Sequence, residues 1–195
     1  NVYAIAINVG KNNNHKSALF VQSLAEMAKF AKSCDGKVKT VYGLAGSVWN
    51  EKALQKIFTA KGRPTYDPLI VHVQKNDTGD SILGDLARLE LIELSAMTSE
   101  QQVIIEKVLQ KFWPGPLTVI LPKHSKVPNL VTSNLPTVAI RMPAHPVAQA
   151  ILRATQLPLA APSANRFGHI SPTKAAHVFE ELEGRIPLIV DGGSF

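Results

Sequence analysis

Apolar residues recur at spacings of three and four positions in several stretches of the chain, and this pattern predicts helices with one buried face. The first stretch covers residues 17–33. A second helix is predicted to begin after Asn50, because an asparagine side chain can accept a hydrogen bond from the free N–H groups of a first helical turn. Further helices are predicted over 81–94, from Thr98 or Ser99 onward, over 145–155 and over 173–183.

Three of these helices have apolar stripes that we expect to lie in the core. The first helix should bury Leu19, Phe20, Leu24, Met27, Ala28 and Ala31. The helix after Asn50 should bury Ala53, Leu54, Ile57 and Phe58. The helix after Thr98 should bury Val103, Ile104, Val108 and Phe112.

Short β-branched or apolar runs lie between the helices and predict strands, several of them flanked by proline or glycine. The runs cover residues 69–73, 117–121, 138–140, 157–161 and 186–190. Strands that alternate with helices predict one α/β domain with helices packed on the faces of a sheet. The pattern leaves open whether the strands run parallel or in mixed directions.

The composition excludes a disordered chain, because 45% of the residues are hydrophobic and only 18% are charged. No apolar run approaches the ~18–20 residues that cross a bilayer, so we expect no membrane span. The first residues lack a secretory leader, and the single cysteine, Cys34, can form no internal disulfide. We therefore expect a cytoplasmic protein. The net charge of +6 suits phosphate-bearing partners without selecting one.

Familiar catalytic signatures are missing from the sequence. It has no GxxxxGK[ST] loop, no GxGxxG, no GxSxG and no HExxH. The six histidines do not have the spacing of metal ligands, so we predict no metal site built from protein ligands. His72 lies inside a predicted strand, where the residues alone favour a structural histidine.

Three local clusters could still bind anions. The segment KGRP places Lys61 and Arg63 after a helix, where they could clamp a polyphosphate or only offset the helix dipole. Arg141 ends a predicted strand and could pair with a carboxylate or form an ordinary surface ion pair. The small-residue loop APSANRFGHISPT could bring backbone N–H groups close to a phosphate or be a turn before a helix cap. A fourth segment, WPGPLTVIL, is best read as a structural turn.

Taken together, these segments resemble the YrdC-like threonylcarbamoyl-AMP synthase family. They follow the family's order and about its spacing from residue 40 onward, and as a set they are highly specific. The matching stretches are TVYGLAG (40–46), KIFTAKGRPTYDPLIVHV (56–73), FWPGPLTVIL (112–121), TVAIRMPAHPVA (137–148), LPLAAPSAN (157–165), ISPTKAAHV (170–178) and IVDGG (189–193).

The resemblance implies a fold and a reaction. The fold is a single-domain, twisted mixed sheet flanked by helices, the YrdC-like or DHBP synthase-like fold. The reaction is a nucleotidyl transfer in which L-threonine, bicarbonate and ATP give L-threonylcarbamoyl-adenylate and pyrophosphate. A downstream transferase uses this product for the N6-threonylcarbamoyl modification of adenosine 37 in tRNA. ATP enters as a substrate, and Mg²⁺ is expected, held mainly by phosphates.

The resemblance also implies the site residues. The catalytic group comprises Lys61, Arg63, Ser163 and Asn165. The ATP contacts comprise Arg63, Asp67, Thr137, Ser163 and Ser171. The L-threonine contacts comprise Thr40, His72, Arg141 and the backbone at Ala161. The chemistry needs no protein nucleophile, because the threonine carbamate itself attacks the α-phosphorus, and cations must offset the repulsion between two anions.

Two parts of the sequence depart from the family pattern. Lys37, Val38 and Lys39 stand before Thr40 where the family has a proline, a threonine and an acid. We therefore expect residues 1–39 to be an atypical segment packed on a domain of residues 40–195, in which either NVYAIAINVG supplies a substitute strand or the region is rearranged. The family's Gly-Val-Glu-Ser-Thr-like segment does not follow the closing DGG, so we expect a domain truncated at its C-terminal end.

Two other functions remain open on the sequence. The first is a double-stranded RNA or tRNA-binding module of the same fold without catalysis, which the net charge of +6 would suit. The second is a family member that acts on another carbamoyl acceptor.

Overall fold

The computed structural model describes residues 5–7, 41–76 and 81–193, the first three of them as backbone. The predicted helix over 17–33, Thr40 and most of the segment 1–39 lie outside the described residues. The strands are β1 (Ile5–Ile7), β2 (Gly43–Ser47), β3 (Ile70–His72), β4 (Thr118–Pro122), β5 (Thr137–Arg141) and β6 (Leu159–Ala160). The helices are α1 (Glu51–Lys61), α2 (Ile82–Arg88), α3 (Ser99–Phe112), α4 (Asn129–Thr132), α5 (Pro146–Thr155) and α6 (Ala175–Leu182), with a 3₁₀ turn at Leu94–Ala96.

The strands form one mixed sheet in the order β1-β2-β6-β3-β5-β4. β1 runs parallel to β2, and β3 runs parallel to β5, whereas the other neighbouring pairs are antiparallel. The expected mixed sheet with flanking helices is therefore confirmed. The substitute strand is confirmed at Ile5–Ile7, which pairs with Gly43–Ala45 of β2.

Helix α1 begins after Asn50 as predicted, but it includes Lys61, which the sequence analysis placed directly after the helix. The Asn50 side chain accepts a hydrogen bond from the N–H of Ala53 at 3.1 Å. Gly62 ends the helix at φ +59°, a left-handed conformation that glycine adopts without a steric cost. The predicted stripe of α1 is buried. Gly46 of β2 lets this helix approach closely, because a Cβ there would lie 3.1 Å from Ile57 Cδ1.

Two helix predictions need correction. The helix predicted over 81–94 ends at Arg88, because the chain turns at Glu90, at φ +57°, and carries Leu91 and Ile92 into the core. Helix α3 has the predicted start at Thr98, but the residues assigned to its buried stripe are 36–56% exposed: Val103, Ile104, Val108 and Phe112. It packs on the core through Leu109 and Ile105 instead.

The strand predictions also need two corrections. The run 186–190 forms no strand in the described residues, although Val190 is buried and Ile189 packs against the core. This segment therefore buries its apolar side chains without pairing in the sheet. Strand β2 was not predicted, because Gly43–Ser47 is rich in small residues with low β-propensity.

The two faces of the sheet are covered differently. The larger core cluster lies on the face that includes Leu44, Val71 and Ile140 and packs against α1. On the other face, α5 covers Ala45 and Leu159 of β2 and β6. Residues paired across neighbouring strands point to the same face. Apart from the buried His72, this second face therefore carries half-buried or exposed side chains along β3, β5 and β4, including Ile120 at 69% exposure.

Candidate active site

The part of this second face formed by β3, β5 and β4 has a polar group at each end. At one end, His72 pairs in register with Arg141, which in turn pairs with Thr118. At the other end, Thr137 pairs with Pro122. Apolar residues occupy the middle, where Ala139 pairs with both Ile70 and Ile120.

Lys61 is the last residue of α1 and directly precedes the left-handed Gly62. Its ammonium group donates to the carbonyl oxygens of Ser163 and Asn165, both at 2.5 Å. Its own carbonyl accepts from the N–H of Phe167 at 2.8 Å. The loop after β6 thus wraps around a lysine side chain that is only 2% exposed.

Burial is also the main reason that the pKa of Lys61 falls to about 8, and the neighbouring Arg63 guanidinium acts in the same direction. The carboxylates of Asp67 and Glu181 oppose this fall. The ammonium of Lys61 is therefore mostly protonated at pH 7 and loses its charge as the pH rises through about 8, well below the range of an exposed lysine.

Arg63 is fixed by its own loop. Its Nη2 forms an ion pair with Asp67 Oδ2 at 2.9 Å and donates to the Pro68 carbonyl, also at 2.9 Å. Its Nε donates to the Asp67 carbonyl at 3.2 Å. These contacts use the planar fork of the guanidinium and hold Arg63 just before β3. Its charge is close enough to act on Lys61.

Asn165 is buried, and two backbone carbonyls fix the orientation of its side-chain amide. Its Nδ2 donates to the oxygens of Arg166 and His169, both at 2.7 Å. Its Oδ1 is buried and has no hydrogen-bond partner among the described residues. A ligand with a hydrogen-bond donor or a cation could satisfy this acceptor.

The opposite end combines a neutral histidine with a cation. Burial lowers the pKa of His72 to about 3, and the charge of Arg141 adds to the effect. The Nδ1 of His72 lies 3.2 Å from the Ile70 carbonyl. Arg141 Nε donates to Thr118 Oγ1 at 2.8 Å. At neutral pH this end therefore offers one positive charge beside an uncharged imidazole.

Three of the remaining predicted site residues follow β6 in the chain. The N–H of Ala161 donates to the Ile70 carbonyl at 3.0 Å, and Ser163 forms an isolated bridge with Gly43. Ser171 lies farther along the same loop and lines a pocket of about 510 Å³ with Glu181 and His177. Thr40 lies outside the described residues.

The structure thus brings Lys61, Ser163 and Asn165 into direct contact, joins Arg63 to Asp67, and pairs His72 with Arg141.

Sequence reasoning missed two contacts of this region. Thr118 holds Arg141, and only the cross-strand register shows it. Glu181 contacts Arg166 and His169 in the loop after Asn165. In the sequence it is one of several charged residues of a predicted helix, and nothing there indicated this contact.

No three or more His, Cys, Asp or Glu side chains are grouped for metal binding in residues 41–76 and 81–193. Within the same ranges, no helix has the length and apolar character of a membrane span.

The fold and the site define an α/β protein with cationic side chains near both ends of the parallel strands β3 and β5. The chain belongs to the Sua5/YciO/YrdC family, whose model, described as "Telomere recombination", matches residues 36–195. The expected family and fold are thereby confirmed.

Two curated relatives carry the name threonylcarbamoyl-AMP synthase. The protein of Bacillus subtilis is 47% identical over 156 residues, and that of Pyrococcus abyssi is 43% identical over 155 residues. Each match covers 80% of this chain and 41% of the relative, so the chain spans about two fifths of their length. The crystal structure of P. abyssi Sua5 complexed with L-threonine superposes with a TM-score of 0.68 at 33% identity, covering 100% of this chain and 51% of that one.

Proposed function

We propose that this chain forms L-threonylcarbamoyl-adenylate and pyrophosphate from L-threonine, bicarbonate and ATP. The observation that carries the proposal is the presence of cationic side chains near both ends of the parallel strands β3 and β5. Lys61 and Arg63 stand at one end and Arg141 at the other. The names of the two curated relatives and the threonine complex of P. abyssi Sua5 support the same assignment.

The spacing of the two ends suits two substrates that must meet. Thr137 and Arg141 are the first and last residues of a five-residue strand. At roughly 3.3 Å per residue, their Cα atoms lie about 13 Å apart. L-threonine would bind at His72 and Arg141, with its carboxylate on the guanidinium. ATP would bind toward the other end.

The nucleotide contacts that we propose surround the buried lysine. Lys61 and Arg63 would neutralise phosphate charge, while Ser163 and Asn165 orient the triphosphate. Asp67 holds Arg63 in place. Further ATP contacts are assigned to Thr137 and Ser171, and further threonine contacts to Thr40 and the backbone at Ala161.

The chemistry requires no protein nucleophile. The threonine amine adds to bicarbonate and releases water, which leaves a carbamate. A carbamate oxygen then attacks the α-phosphorus of ATP, the bond to the β-phosphate oxygen breaks, and pyrophosphate leaves. Arg141 and Lys61 hold the two anions at a reacting distance, which removes much of the entropic cost of their encounter. Mg²⁺ held mainly by phosphates would supply charge neutralisation on the leaving group.

The proposed product is a mixed anhydride that must be consumed by acyl transfer. We assign that step to a downstream transferase that modifies adenosine 37 of tRNA in the cytoplasm. The synthase name of both curated relatives supports the proposed product of the first step.

The test is pyrophosphate release by the full chain from ATP, with and without L-threonine, in bicarbonate-depleted and bicarbonate-replete buffer. Release that requires both threonine and bicarbonate is the expected result. ATP-dependent release without a threonine requirement would indicate another carbamoyl acceptor.

A chain that neither binds ATP nor releases pyrophosphate is not a synthase. RNA binding that weakens steeply with salt and ignores ATP would then favour the RNA-binding module.

A further inference from the structure

Glu181 is a charged anchor between helix α6 and the loop that follows Asn165. Its Oε2 accepts hydrogen bonds from the backbone N–H of Arg166 at 3.1 Å and from Arg166 Nε at 3.2 Å. Its Oε1 lies 2.9 Å from His169 Nδ1. One side chain on a helix therefore fixes two loop residues.

Those two residues are also the ones that orient Asn165. The carbonyls of Arg166 and His169 both accept from Asn165 Nδ2. The same loop wraps Lys61, whose ammonium donates to the Asn165 carbonyl and whose carbonyl accepts from Phe167. Displacing Arg166 and His169 would therefore release the Asn165 amide and loosen the cover over Lys61.

We propose that Glu181 is a positioning residue for ATP: it holds the loop so that Asn165 and Lys61 keep the orientation in which they bind the nucleotide. This inference rests on the function proposed above and adds a residue to it. Glu181 acts through Asn165 and Lys61, and its carboxylate does not bind the phosphates, because an anion beside a polyphosphate repels it.

The charge of Glu181 has a second consequence. Its hydrogen bonds from His169 and from the Arg166 N–H lower the pKa of Glu181 to about 2, so the carboxylate is ionised at neutral pH. Arg63, Asp67 and Glu181 act on the charge of Lys61, and Arg185 donates to the carbonyl of the adjacent Ala60 at 3.4 Å. Asp67 and Glu181 keep the ammonium protonated against burial and against Arg63. Removing the Glu181 charge should therefore lower the pKa of Lys61 further.

The test compares the full chain with Glu181→Gln, Glu181→Asp and the matched control Glu183→Gln, an exposed glutamate at the end of the same helix. ATP affinity is measured by calorimetry between about pH 6.5 and 9, a window that spans the titration of a lysine with a lowered pKa. The KM values for ATP and threonine are measured in parallel by pyrophosphate release.

We expect Glu181→Gln to weaken ATP binding roughly tenfold and to leave the KM for threonine unchanged, because only the nucleotide end is displaced. The pH at which ATP affinity falls should also move downward. Glu181→Asp should restore part of the affinity and the original pH midpoint, and Glu183→Gln should match the unaltered chain.

Equal or tighter ATP binding by Glu181→Gln would overturn the inference, since it is the result of merely removing an anion from beside a polyphosphate. An equal rise in both KM values, or an unmoved pH midpoint without rescue by aspartate, would also overturn it and indicate general destabilisation. If the unaltered chain binds ATP without releasing pyrophosphate, the affinity comparison still decides the role of Glu181. If it binds no ATP, the inference and the proposed function both fail.

Discussion

The phenolic oxygen of Tyr42 lies 2.6 Å from Oδ1 of Asp191, although the two residues are 149 positions apart in the sequence. The same phenolic oxygen lies 2.7 Å from the Gly193 carbonyl. The N–H of Tyr42 donates to the Pro172 carbonyl, and its carbonyl accepts from the N–H of Ala164. Tyr42 therefore connects two points of the segment between β6 and α6 with Asp191 and Gly193 near the end of the described chain. Burial, together with the Asp191 carboxylate, raises the pKa of Tyr42.

Tyr42→Phe should lower the free energy of unfolding by about 1.5–3 kcal/mol, the usual contribution of a hydrogen bond to a charged group. The removed hydroxyl is buried, and Asp191 keeps only its bond from the Gly193 N–H among the contacts described here. Urea denaturation measures the change. Tyr66→Phe, at a residue that is 77% exposed, is the matched control and should change nothing.

Arg63→Ala should abolish most pyrophosphate release, and Arg63→Lys should restore little of it. A lysine ammonium cannot reproduce the forked contacts with Asp67 and Pro68 that fix the guanidinium. A loss of 100-fold or more in kcat/KM, roughly 3 kcal/mol, is expected for a group that stabilises phosphate charge. Lys56→Ala, on the exposed side of α1, is the control; activity retained in Arg63→Ala would remove Arg63 from the mechanism.

Arg141→Met should raise the KM for L-threonine about 100-fold and leave the Kd for ATP nearly unchanged. The reason is that Arg141 is the last residue of β5, whereas ATP is proposed to bind toward the Thr137 end of that strand. Thr118→Val should shift the same KM in the same direction by a smaller factor, because it removes the oxygen that accepts from Arg141 Nε. Arg153→Met, exposed on α5, controls for the loss of a positive charge. A parallel rise in the Kd for ATP would contradict the two-ended site.

Stability should decrease as the pH falls below about 6.5, because His72 is neutral in the folded chain and charges in the unfolded one. Its pKa is lowered to about 3 by burial, so the unfolded state binds the extra proton throughout the range between the two values. The expected slope is up to about 1.4 kcal/mol per pH unit. Burial also lowers the pKa of His145, which acts with the same sign.

The His72→Gln variant separates the contribution of His72 to this pH dependence from that of His145. Urea unfolding between about pH 4.5 and 7 should show a shallower slope for this variant than for the unaltered chain. Below about pH 5.5 the lowered pKa values of Glu93, Glu106 and Glu181 add a slope of the same sign, but they do so in both proteins, so the difference between the two slopes reports His72. Identical slopes would mean that His72 is accessible to protons in the folded state.

Much of the local structure could be predicted because its causes are local. Asn50 and Gly62 set the two ends of α1, and Thr98 with Gln101 forms the capping box that starts α3. The order of the motifs also identified the family, since each motif is a short stretch of sequence. A family resemblance assigned the site residues, and their roles remain predictions.

An apolar stripe in the sequence predicted buried side chains correctly for α1 but not for α3. The apolar stripe of α1 is buried, whereas the stripe assigned to α3 is exposed and the run 186–190 forms no strand. Periodicity shows which side chains share a face, but the neighbouring element decides whether that face is covered. Strand β2 was missed because it lacks the β-branched side chains that indicate a strand. Its small residues instead allow α1 to pack closely, as at Gly46.

The sequence by itself determined the starts of α1 and α3, the family and the residue types of the site. Only the tertiary structure decided how those residues behave. His72 meets Arg141 because β3 pairs parallel with β5, and Lys61 has a pKa near 8 because the loop after β6 buries it. Register and burial arise from contacts between residues far apart in the chain, so no local pattern of residues contains them.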